Sequence, residues 1–278
     1  MKKLSFYLLM FTVLMISINT KAQTHQLTKI WETDTVLRTP ESVLYEAKEK
    51  ILYVSNIDGV PTEKDGKGFI SKLDLKGKPI QLEWVKGLNA PKGMGIYKNK
   101  LYVADLTEVV VIDLKTAAIL EKIPVDGSIF LNDITIDSKG VVYVSDSRAG
   151  NVHQIENSKV NSVLRNIKSP NGLLVDGKQL LVLNNGALSW LLPNDQLALL
   201  VDGMDPSTDG IEKVKENEFI VSSWAGAIYY LNTNGSKQVL LDGRADKKNT
   251  ADIGYDAKNR ILYVPTFYGN KVVAYRLD

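Results

Sequence analysis

The sequence predicts an all-β protein, specifically a six-bladed β-propeller with four antiparallel strands in each blade. Three observations support this fold class. A short apolar motif recurs six times along the chain, at intervals of roughly 40 residues, which is the length of a propeller blade. A second apolar run closes each unit, and Asp-Gly, Asn-Gly and Lys-Gly turns separate the segments between them. No long window shows the periodicity of an amphipathic helix.

The recurring motif consists of an apolar residue, often tyrosine, then valine, a small residue and a polar residue. Its six copies read LYVSN, LYVAD, VYVSD, LLVLN, FIVSS and LYVPT. The shared valines are Val54, Val103, Val144, Val182, Val221 and Val264. The motif is typical of a buried strand, and we place it on the second strand of each blade.

The two ends of the domain are expected to share one blade. The segment HQLTKIWET from His25 resembles the outermost strand of a blade, although it precedes the first repeat. The last unit stops after KVVAYRLD, which is a third strand. We therefore expect the N-terminal strand to complete the last blade, which leaves no open edge at that point.

Residues 1–22 are predicted to be a secretory signal peptide. Lys2 and Lys3 precede an apolar run over Leu4–Ile18, and Thr20 and Ala22 place small residues at a cleavage site. A membrane anchor is the alternative, but the run is short for a span. We therefore expect a single exported domain over residues 23–278, periplasmic or extracellular, without a membrane span.

Composition excludes several classes of function. The formal charge is +2, and removal of Lys2, Lys3 and Lys21 with the signal leaves −1. A near-neutral domain does not suit a nucleic-acid partner, which would require a basic face. The chain has no cysteine, which excludes disulfides and thiolate metal sites. The oligomeric state is not indicated.

One column of residues is the candidate functional site. It lies about 11–13 positions before each shared valine, where the innermost strand of a blade begins. The units read TPESV, APKGM, FLNDI, SPNGL, STDGI and NTADI, so the column holds Glu41, Lys92, Asn132, Asn171, Asp209 and Ala251. Because innermost strands surround the central channel, we expect these residues to converge there.

Four members of the column are predicted to bind a metal ion: Glu41, Asn132, Asn171 and Asp209. Carboxylate and amide oxygens without sulfur or imidazole favour calcium, with magnesium or manganese as alternatives. Two carboxylates neutralise a divalent ion, and calcium would retain positions for water and substrate. The alternative is a hydrogen-bonded polar plug without metal.

Asn171 also has a purely local interpretation. In Pro170-Asn171-Gly172 the proline presets φ, and the Asn-Gly pair favours positive φ, so the segment predicts a tight turn. Both interpretations are compatible if the glycine turns the backbone while the amide of Asn171 faces the channel.

With these motifs, the chain resembles the SMP-30/gluconolactonase family, which includes regucalcin-type lactonases and is similar to diisopropylfluorophosphatases. The resemblance covers essentially all of residues 23–278. It implies that Glu41 of Pro-Glu-Ser, Asn171 of Pro-Asn-Gly and Asp209 of Asp-Gly bind a central calcium. Asn132 of Asn-Asp would be a fourth ligand or would contact substrate. The implied activity is hydrolysis of a lactone or related ester, with Asp209 as general base or nucleophile and Glu41 as second candidate.

The chain departs from the family pattern at two positions. Family lactonases often have an arginine two residues before the Asn-Asp asparagine, where this chain has Phe130. Lys92 places an ammonium in the column, which is repulsive to a divalent cation. It is expected to contact an anionic substrate group, to snorkel toward solvent, or to replace the charge of the metal. A non-enzymatic propeller that binds a glycan, peptide or protein partner, with a structural metal or a metal-free polar channel site, therefore remains the alternative function.

The remaining candidates surround the column. Lys92 and Phe130, with Trp224 and Tyr268 from connections on the same face, are predicted to contact a small-molecule substrate, although aromatic residues also serve blade packing. The long connection Asn56–Gly68 is expected to return over the channel mouth. Asp133 and Asp252 should face away from the site because successive strand residues alternate; a second cation at Asp252 is an alternative.

Overall fold

The structure, a computed structural model, describes residues 24–278, so the predicted signal peptide lies outside the described range. Within this range the chain forms six four-stranded antiparallel sheets, which confirms the predicted six-bladed propeller. In each of the first five blades the strands follow one another along the chain from the channel outward. The one helical element described is a short 3-10 turn, η1, at Phe267–Gly269.

Blades 1 to 3 contain strands β2 to β13. Blade 1 is formed by β2 (Pro40–Glu46), β3 (Ile51–Asn56), β4 (Gly68–Asp74) and β5 (Pro79–Leu88). Blade 2 is formed by β6 (Pro91–Tyr97), β7 (Lys100–Asp105), β8 (Glu108–Asp113) and β9 (Ile119–Pro124). Blade 3 is formed by β10 (Leu131–Ile136), β11 (Val142–Asp146), β12 (Asn151–Glu156) and β13 (Lys159–Leu164).

Blades 4 to 6 contain the remaining strands. Blade 4 is formed by β14 (Pro170–Asp176), β15 (Gln179–Asn184), β16 (Ala187–Leu191) and β17 (Leu197–Val201). Blade 5 is formed by β18 (Thr208–Lys215), β19 (Glu218–Ser223), β20 (Ala227–Asn232) and β21 (Lys237–Asp242). Blade 6 is formed by β22 (Gly254–Asp256), β23 (Ile261–Pro265), β24 (Val272–Leu277) and β1 (Leu27–Glu32).

The N-terminal strand closes the ring as the sequence predicted. Strand β1 pairs antiparallel with β24, with Leu27 opposite Leu277 and Trp31 opposite Ala274. The indole of Trp31 also donates a hydrogen bond to the carbonyl of Leu75 in blade 1, at 3.0 Å. The first strand therefore ties the last blade to the first.

The shared valines of the repeat form part of the core between blades. Five of the six have no exposed surface and Val264 has 1 %. Burial of a valine side chain contributes about 1.5–3 kcal/mol, so the motif stabilises every blade by the same packing. This explains why the sequence period and the structural period coincide.

Blade 6 differs from the others at the channel. Its innermost strand β22 has only three residues, and the segment before it pairs in parallel with β2 through Ser42 and Asp252. Asp252 donates its N–H to the carbonyl of Glu41 at 2.9 Å. Blade 6 thus joins blade 1 along the channel wall, and Asp252 lies beside Glu41. No helix in residues 24–278 is long and apolar enough to cross a membrane.

Candidate metal and substrate site at the channel mouth

Each polar member of the column lies in an irregular part of its innermost strand. The register with the second strand shifts between Pro40 and Ser42, and equivalent shifts occur in blades 2 to 5. Such β-bulges bend a strand and redirect a side chain. The shifts span the positions of Glu41, Lys92, Asn132, Asn171 and Asp209.

Serines of the repeated motif satisfy the backbone groups that the bulges release. The hydroxyl of Ser55 accepts the N–H of Ser42 at 2.9 Å, and the hydroxyl of Ser145 accepts that of Asp133 at 3.0 Å. Ser222 accepts the N–H of Gly210 at 2.9 Å. Without these hydroxyls the buried N–H groups would be unpaired. Sequence analysis recognised this position only as small and missed its role beside the site.

The polar residue that ends the motif fixes the loop before the innermost strand. In blade 2 the carboxylate of Asp105 accepts the N–H of Ala90 at 2.7 Å. In blade 3 the carboxylate of Asp146 accepts the N–H of Phe130 at 3.1 Å. Asn56 accepts a loop N–H in blade 1. The motif therefore holds in place the segments that carry the candidate site residues.

The turn predicted at Pro170-Asn171-Gly172 is wrong. Strand β14 already begins at Pro170, and the residue with positive φ is Ser169, at 46°. Gly172 has a different function, because a Cβ atom there would lie 2.2 Å from the carbonyl oxygen of Asp209. The glycine lets the innermost strands of blades 4 and 5 approach closely, so the packing of neighbouring blades overrides the local turn preference.

All eight predicted site residues line one cavity of about 450 Å³ at the channel mouth. They are Glu41, Lys92, Phe130, Asn132, Asn171, Asp209, Trp224 and Tyr268. Sequence reasoning missed further polar residues of the wall, namely Ser147, Ser169, Asn185, Ser207 and Thr208. Ser169, Ser207 and Thr208 directly precede the innermost strands or the column residue, whereas Ser147 and Asn185 follow the second strands of blades 3 and 4.

The carboxylates of Glu41 and Asp209 are buried, and burial disfavours their ionised forms. Burial raises the pKa of Glu41 well above its ordinary value, the charge of Asp209 adds to this rise, and Lys92 opposes it. Burial also raises the pKa of Asp209, as does the charge of Asp252. A cation between the two carboxylates would relieve this penalty.

The amide side chains are oriented to present oxygen. The Nδ2 of Asn171 donates to Oδ1 of Asp209 at 2.9 Å, and the Nδ2 of Asn132 donates to Ser147 at 3.1 Å. Within residues 24–278, the buried Oδ1 of Asn171 and Oε2 of Glu41 have no hydrogen-bond partner. Unpaired buried oxygens are rare and point to a missing ion or water.

The donor set fits a hard divalent cation. Two carboxylates and two amides supply oxygen ligands only, which is the preference of calcium. No cluster of three His, Cys, Asp or Glu suited to a metal occurs in the described part of the chain. The predicted set is consistent with this finding because two of its four members are asparagines.

Lys92 is enclosed in the cavity wall. The residue is 1 % exposed, and its Nζ donates to the carbonyls of Ala90 at 2.8 Å and Pro61 at 3.4 Å. Burial lowers its pKa to about 8, although the charge of Glu41 opposes this shift. The expectation that Lys92 snorkels toward solvent is therefore wrong, since a loop of blade 1 covers it.

Phe130 contacts two cations. The Nζ of Lys92 lies 4.3 Å from the ring centroid, and the guanidinium carbon of Arg148 lies 4.5 Å from it. Sequence reasoning missed Arg148, which follows the motif of blade 3 and is outside the column. The position at which the resembling lactonases often carry an arginine thus holds an aromatic ring, and an arginine from another segment packs on it.

An aromatic cluster lies on the other side of the cavity. Trp224, Phe267 and Tyr268 pack edge to face, with centroid distances of 5.6 Å, 6.2 Å and 4.7 Å. Trp224 is 39 % exposed and Tyr268 is 64 % exposed. These rings offer an apolar surface at the mouth rather than serving blade packing alone.

The long connection of blade 1 reaches the cavity, as expected. Its residues Ile57 and Pro61 line the wall, and the Nζ of Lys64 donates to the hydroxyl of Thr107 in blade 2 at 2.6 Å. The connection is therefore fastened to the neighbouring blade and narrows the mouth on that side.

Asp133 and Asp252 lie beneath the cavity and join neighbouring blades. The carboxylate of Asp133 in blade 3 accepts the N–H of Leu173 in blade 4 at 2.6 Å. The carboxylate of Asp252 accepts the hydroxyl of Ser42 in blade 1. These contacts agree with the expectation that both residues support the structure.

Comparisons with known proteins identify the architecture. No family model matches the sequence. No curated protein matches it either. Similar solved structures include a streptogramin B lyase, with a TM-score of 0.61 and 12 % identity, covering 92 % of this chain and 98 % of that one. Another is a catalytically inactive His→Ala variant of virginiamycin B lyase from Staphylococcus aureus with quinupristin, with a TM-score of 0.61, 13 % identity and coverage of 92 % and 99 %.

A third similar structure is a protein provisionally described as a gluconolactonase. It has a TM-score of 0.67 and 14 % identity, and the match covers 91 % of this chain and 92 % of that one. At such low identity these likenesses establish the propeller fold over almost the whole chain. The fold hosts unrelated activities, so the function has to be argued from the site.

Proposed function

We propose that the protein is a calcium-dependent hydrolase of lactones or related esters, with calcium held by Glu41, Asn132, Asn171 and Asp209. The observation that carries this proposal is the orientation of the four side chains. Both amide nitrogens are occupied by acceptors, and buried oxygens of Glu41 and Asn171 lack partners among the described residues. Four oxygens of this kind around one channel match the ligands that calcium prefers.

The residues of the cavity have distinct roles in this reaction. When bound, calcium acts as a Lewis acid toward the carbonyl of the substrate. Asp209 accepts a proton from the attacking water, whose oxygen bonds to the acyl carbon while the acyl–oxygen bond breaks and the leaving oxygen takes up a proton. Asn171 orients Asp209 by donating to its Oδ1, which leaves Oδ2 for this transfer. Glu41 is the second candidate for the general base. Alternatively, Asp209 attacks the acyl carbon directly as a nucleophile.

The choice of hydrolase over lyase also rests on the histidines. One neighbour is a lyase that is catalytically inactive when a histidine is replaced, and another is described as a gluconolactonase. The two histidines of this chain are His25 and His153, and neither lines the cavity. A reaction that depends on carboxylates therefore suits this site better than one that depends on imidazole.

A metal titration and a substrate panel test the proposal. We expect calorimetry to show binding of one calcium, and turnover of lactones or aryl esters that EDTA abolishes. Asp209→Ala should remove both properties, whereas Asp126→Ala, at an exposed position outside the cavity, should remove neither. Absence of calcium binding at millimolar concentration would refute the metal site, and calcium binding without turnover of any member would refute the hydrolase.

A non-enzymatic binding propeller is the second candidate, and one observation favours it. Lys92 is a resident cation in the same column, held by two backbone carbonyls. It partly offsets the charge of Glu41 without any metal. The metal-free form of this candidate predicts that calcium leaves the melting temperature unchanged, whereas the hydrolase predicts an increase through ligand linkage. A binding propeller with a structural metal would also show this increase but would turn over no ester or lactone.

A further inference from the structure

One side of the cavity wall is apolar. Ile57 of blade 1 and Phe267 of blade 6 line it and belong to one buried hydrophobic cluster, against which Phe130 packs. The column position of blade 6 lies in the same cluster, because it holds Ala251 and not a polar residue. The channel mouth is therefore polar at the four oxygen ligands and apolar beside them.

An exposed aromatic shelf, formed by Trp224 and Tyr268 over the buried ring of Phe267, extends this wall to the surface. Phe267 has a φ of 48°, which is uncommon for a bulky residue. The side chain of Asn270, at the end of the same turn, accepts the N–H of Thr39 at 2.8 Å. The turn is thus fastened with one ring buried and the next exposed. A fixed aromatic surface that is open to solvent at a cleft suits an apolar ligand group.

The aromatic shelf lies on the same side of the ring as the two carboxylates. Asp209 and Trp224 come from the first two strands of blade 5 and the loop after them, Tyr268 comes from blade 6, and Glu41 comes from blade 1. Blade 6 contacts both blade 5 and blade 1 along the channel. An apolar group attached near a carbonyl held over Glu41 and Asp209 would therefore reach the shelf.

Hydroxyl groups of the polar wall are largely used by the fold. The hydroxyl of Ser147 donates to the carbonyl of Pro170 at 2.7 Å, and that of Ser207 donates to the carboxylate of Asp205 at 2.7 Å. Thr208 is 2 % exposed. A polyhydroxylated ligand would have to break such bonds or leave its own hydroxyls unpaired, and both are costly. The wall therefore favours a ligand with few polar substituents.

The cavity offers no free cation to an anionic ligand. Among the described residues that line it, Lys92 is the only cation, and Arg148 lies outside the lining. The Nζ of Lys92 is bonded to two backbone carbonyls. A divalent cation at the proposed site would balance Glu41 and Asp209, and the field of Asp252 adds negative charge beside them. A ligand carboxylate would thus lose its hydration without gaining a partner, so a neutral ligand suits the cavity.

We propose that the substrate is a neutral lactone or ester that carries an extended apolar substituent and few hydroxyl groups. The inference rests on the proposed function, since it places the reacting carbonyl over Glu41 and Asp209. The substituent packs on Trp224 and Tyr268, which therefore determine specificity.

Three lactones with the same ring test this assignment. γ-Butyrolactone is the bare ring, γ-nonalactone adds a pentyl chain, and the γ-lactone of 4-hydroxynonanedioic acid ends that chain in a carboxylate. We expect kcat/KM in calcium, measured by proton release, to be highest for γ-nonalactone. Its advantage over each of the others should be at least about tenfold, the effect of burying about two methylene groups. Faster turnover of the carboxylate lactone, or of the polyhydroxylated glucono-1,5-lactone, would overturn the inference.

Substitutions in the aromatic shelf test the position of the substituent. Tyr268→Ala and Trp224→Ala are at exposed positions, where truncation leaves the buried core intact. Each should reduce the ratio of kcat/KM for γ-nonalactone to that for γ-butyrolactone by about threefold or more. Leu199→Ala is the matched control, because Leu199 is 60 % exposed on β17 outside the cavity, and it should leave the ratio unchanged. A preference for γ-nonalactone that survives both substitutions would contradict the assignment.

A binding measurement separates this inference from the proposed hydrolase. The lactams 2-pyrrolidinone and 5-pentyl-2-pyrrolidinone keep the ring and the chain but replace the ring oxygen with N–H. We expect calorimetry in calcium to show tighter binding of the pentyl lactam, weakened in Tyr268→Ala. This result without turnover of any lactone would refute the hydrolase and support the ligand class. Equal affinity for the two lactams, or binding of neither, would overturn the inference whether or not the lactones turn over.

Discussion

Replacement of Asp252 by asparagine should stabilise the metal-free protein, by an amount that grows as pH rises from about 4 to about 7 and is constant above that. Asp252 lies beside Glu41 at the junction of blades 6 and 1, and burial raises its pKa from 3.8 to about 7. Between these values the folded chain retains a proton that the unfolded chain has lost. Stability therefore falls as pH rises through this window and becomes constant above the folded pKa.

The size of the effect follows from the shift. About three pKa units, at about 1.36 kcal/mol each, set a ceiling of about 4 kcal/mol on the gain above pH 7. Asparagine keeps an oxygen that accepts the hydroxyl of Ser42, so the variant loses the charge and retains this bond. The charge of Asp252 also contributes, after burial, to the raised pKa of Glu212, which is about 8. Its removal therefore relieves a second buried carboxylate.

Urea unfolding in EDTA, followed by tryptophan fluorescence between about pH 4 and pH 8, measures the effect. The free energy of unfolding of Asp252→Asn should match that of the parent chain near pH 4 and exceed it increasingly up to pH 7, with an unchanged m value. Asp242→Asn is the control of opposite sign. Hydrogen bonds from Arg244 lower the pKa of Asp242 from 3.8 to about 2, so this variant should be less stable than the parent chain by an amount that no longer changes with pH above about pH 5.

A gain for Asp252→Asn that does not depend on pH, or a loss near pH 8, would refute the electrostatic reasoning. The same unfolding experiment can be repeated with calcium in place of EDTA. A cation at the proposed site places positive charge nearby, which reduces the gain but does not reverse its sign. A reversal in calcium would instead identify Asp252 as a ligand of a second cation.

Three further predictions concern the framework of the site. Gly172→Ala places a Cβ 2.2 Å from the carbonyl oxygen of Asp209, so it should cost about 1–3 kcal/mol and weaken calcium binding in calorimetry; an alanine tolerated without either change would contradict the close approach. Ser145→Ala leaves the N–H of Asp133 unpaired and should cost about 1–3 kcal/mol in urea unfolding, whereas Ser138→Ala at an exposed position should cost nothing measurable. Deletion of residues 27–32 removes the partner of β24, and light scattering should detect association through the exposed edge; a monomer with the melting temperature of the intact chain would contradict the ring closure.

The sequence predicts the fold and the column because both follow the period of the repeat. The shared valines align the six blades with one another. This alignment alone places Glu41 and Asp209 at the same channel, although they belong to blades 1 and 5. No helix, cofactor motif or pairing rule is needed for this step. Ring closure follows equally from the order of strands, since a solitary N-terminal strand and a last unit of three strands complete one another.

The repeat does not predict features that depend on loops or on contacts between blades. Arg148 lies outside the column, and only the fold of the segment after β11 places it on Phe130. Lys92 belongs to the column, but its enclosure depends on Pro61 from a different blade. The turn preference of Pro-Asn-Gly is overridden where the backbones of blades 4 and 5 approach one another. These are tertiary effects, which local propensity does not contain.

The residues of the repeated motif serve both the fold and the candidate site. Its valine packs between blades, its serine accepts the N–H released by the neighbouring bulge, and its terminal polar residue holds the loop before the innermost strand. Three adjacent positions therefore stabilise the blade and also orient the residue of the column toward the channel. Because Ser145 and Asp146 act on Asp133 and Phe130 in this way, substitutions in the second strand should alter binding at the channel without contacting any ligand.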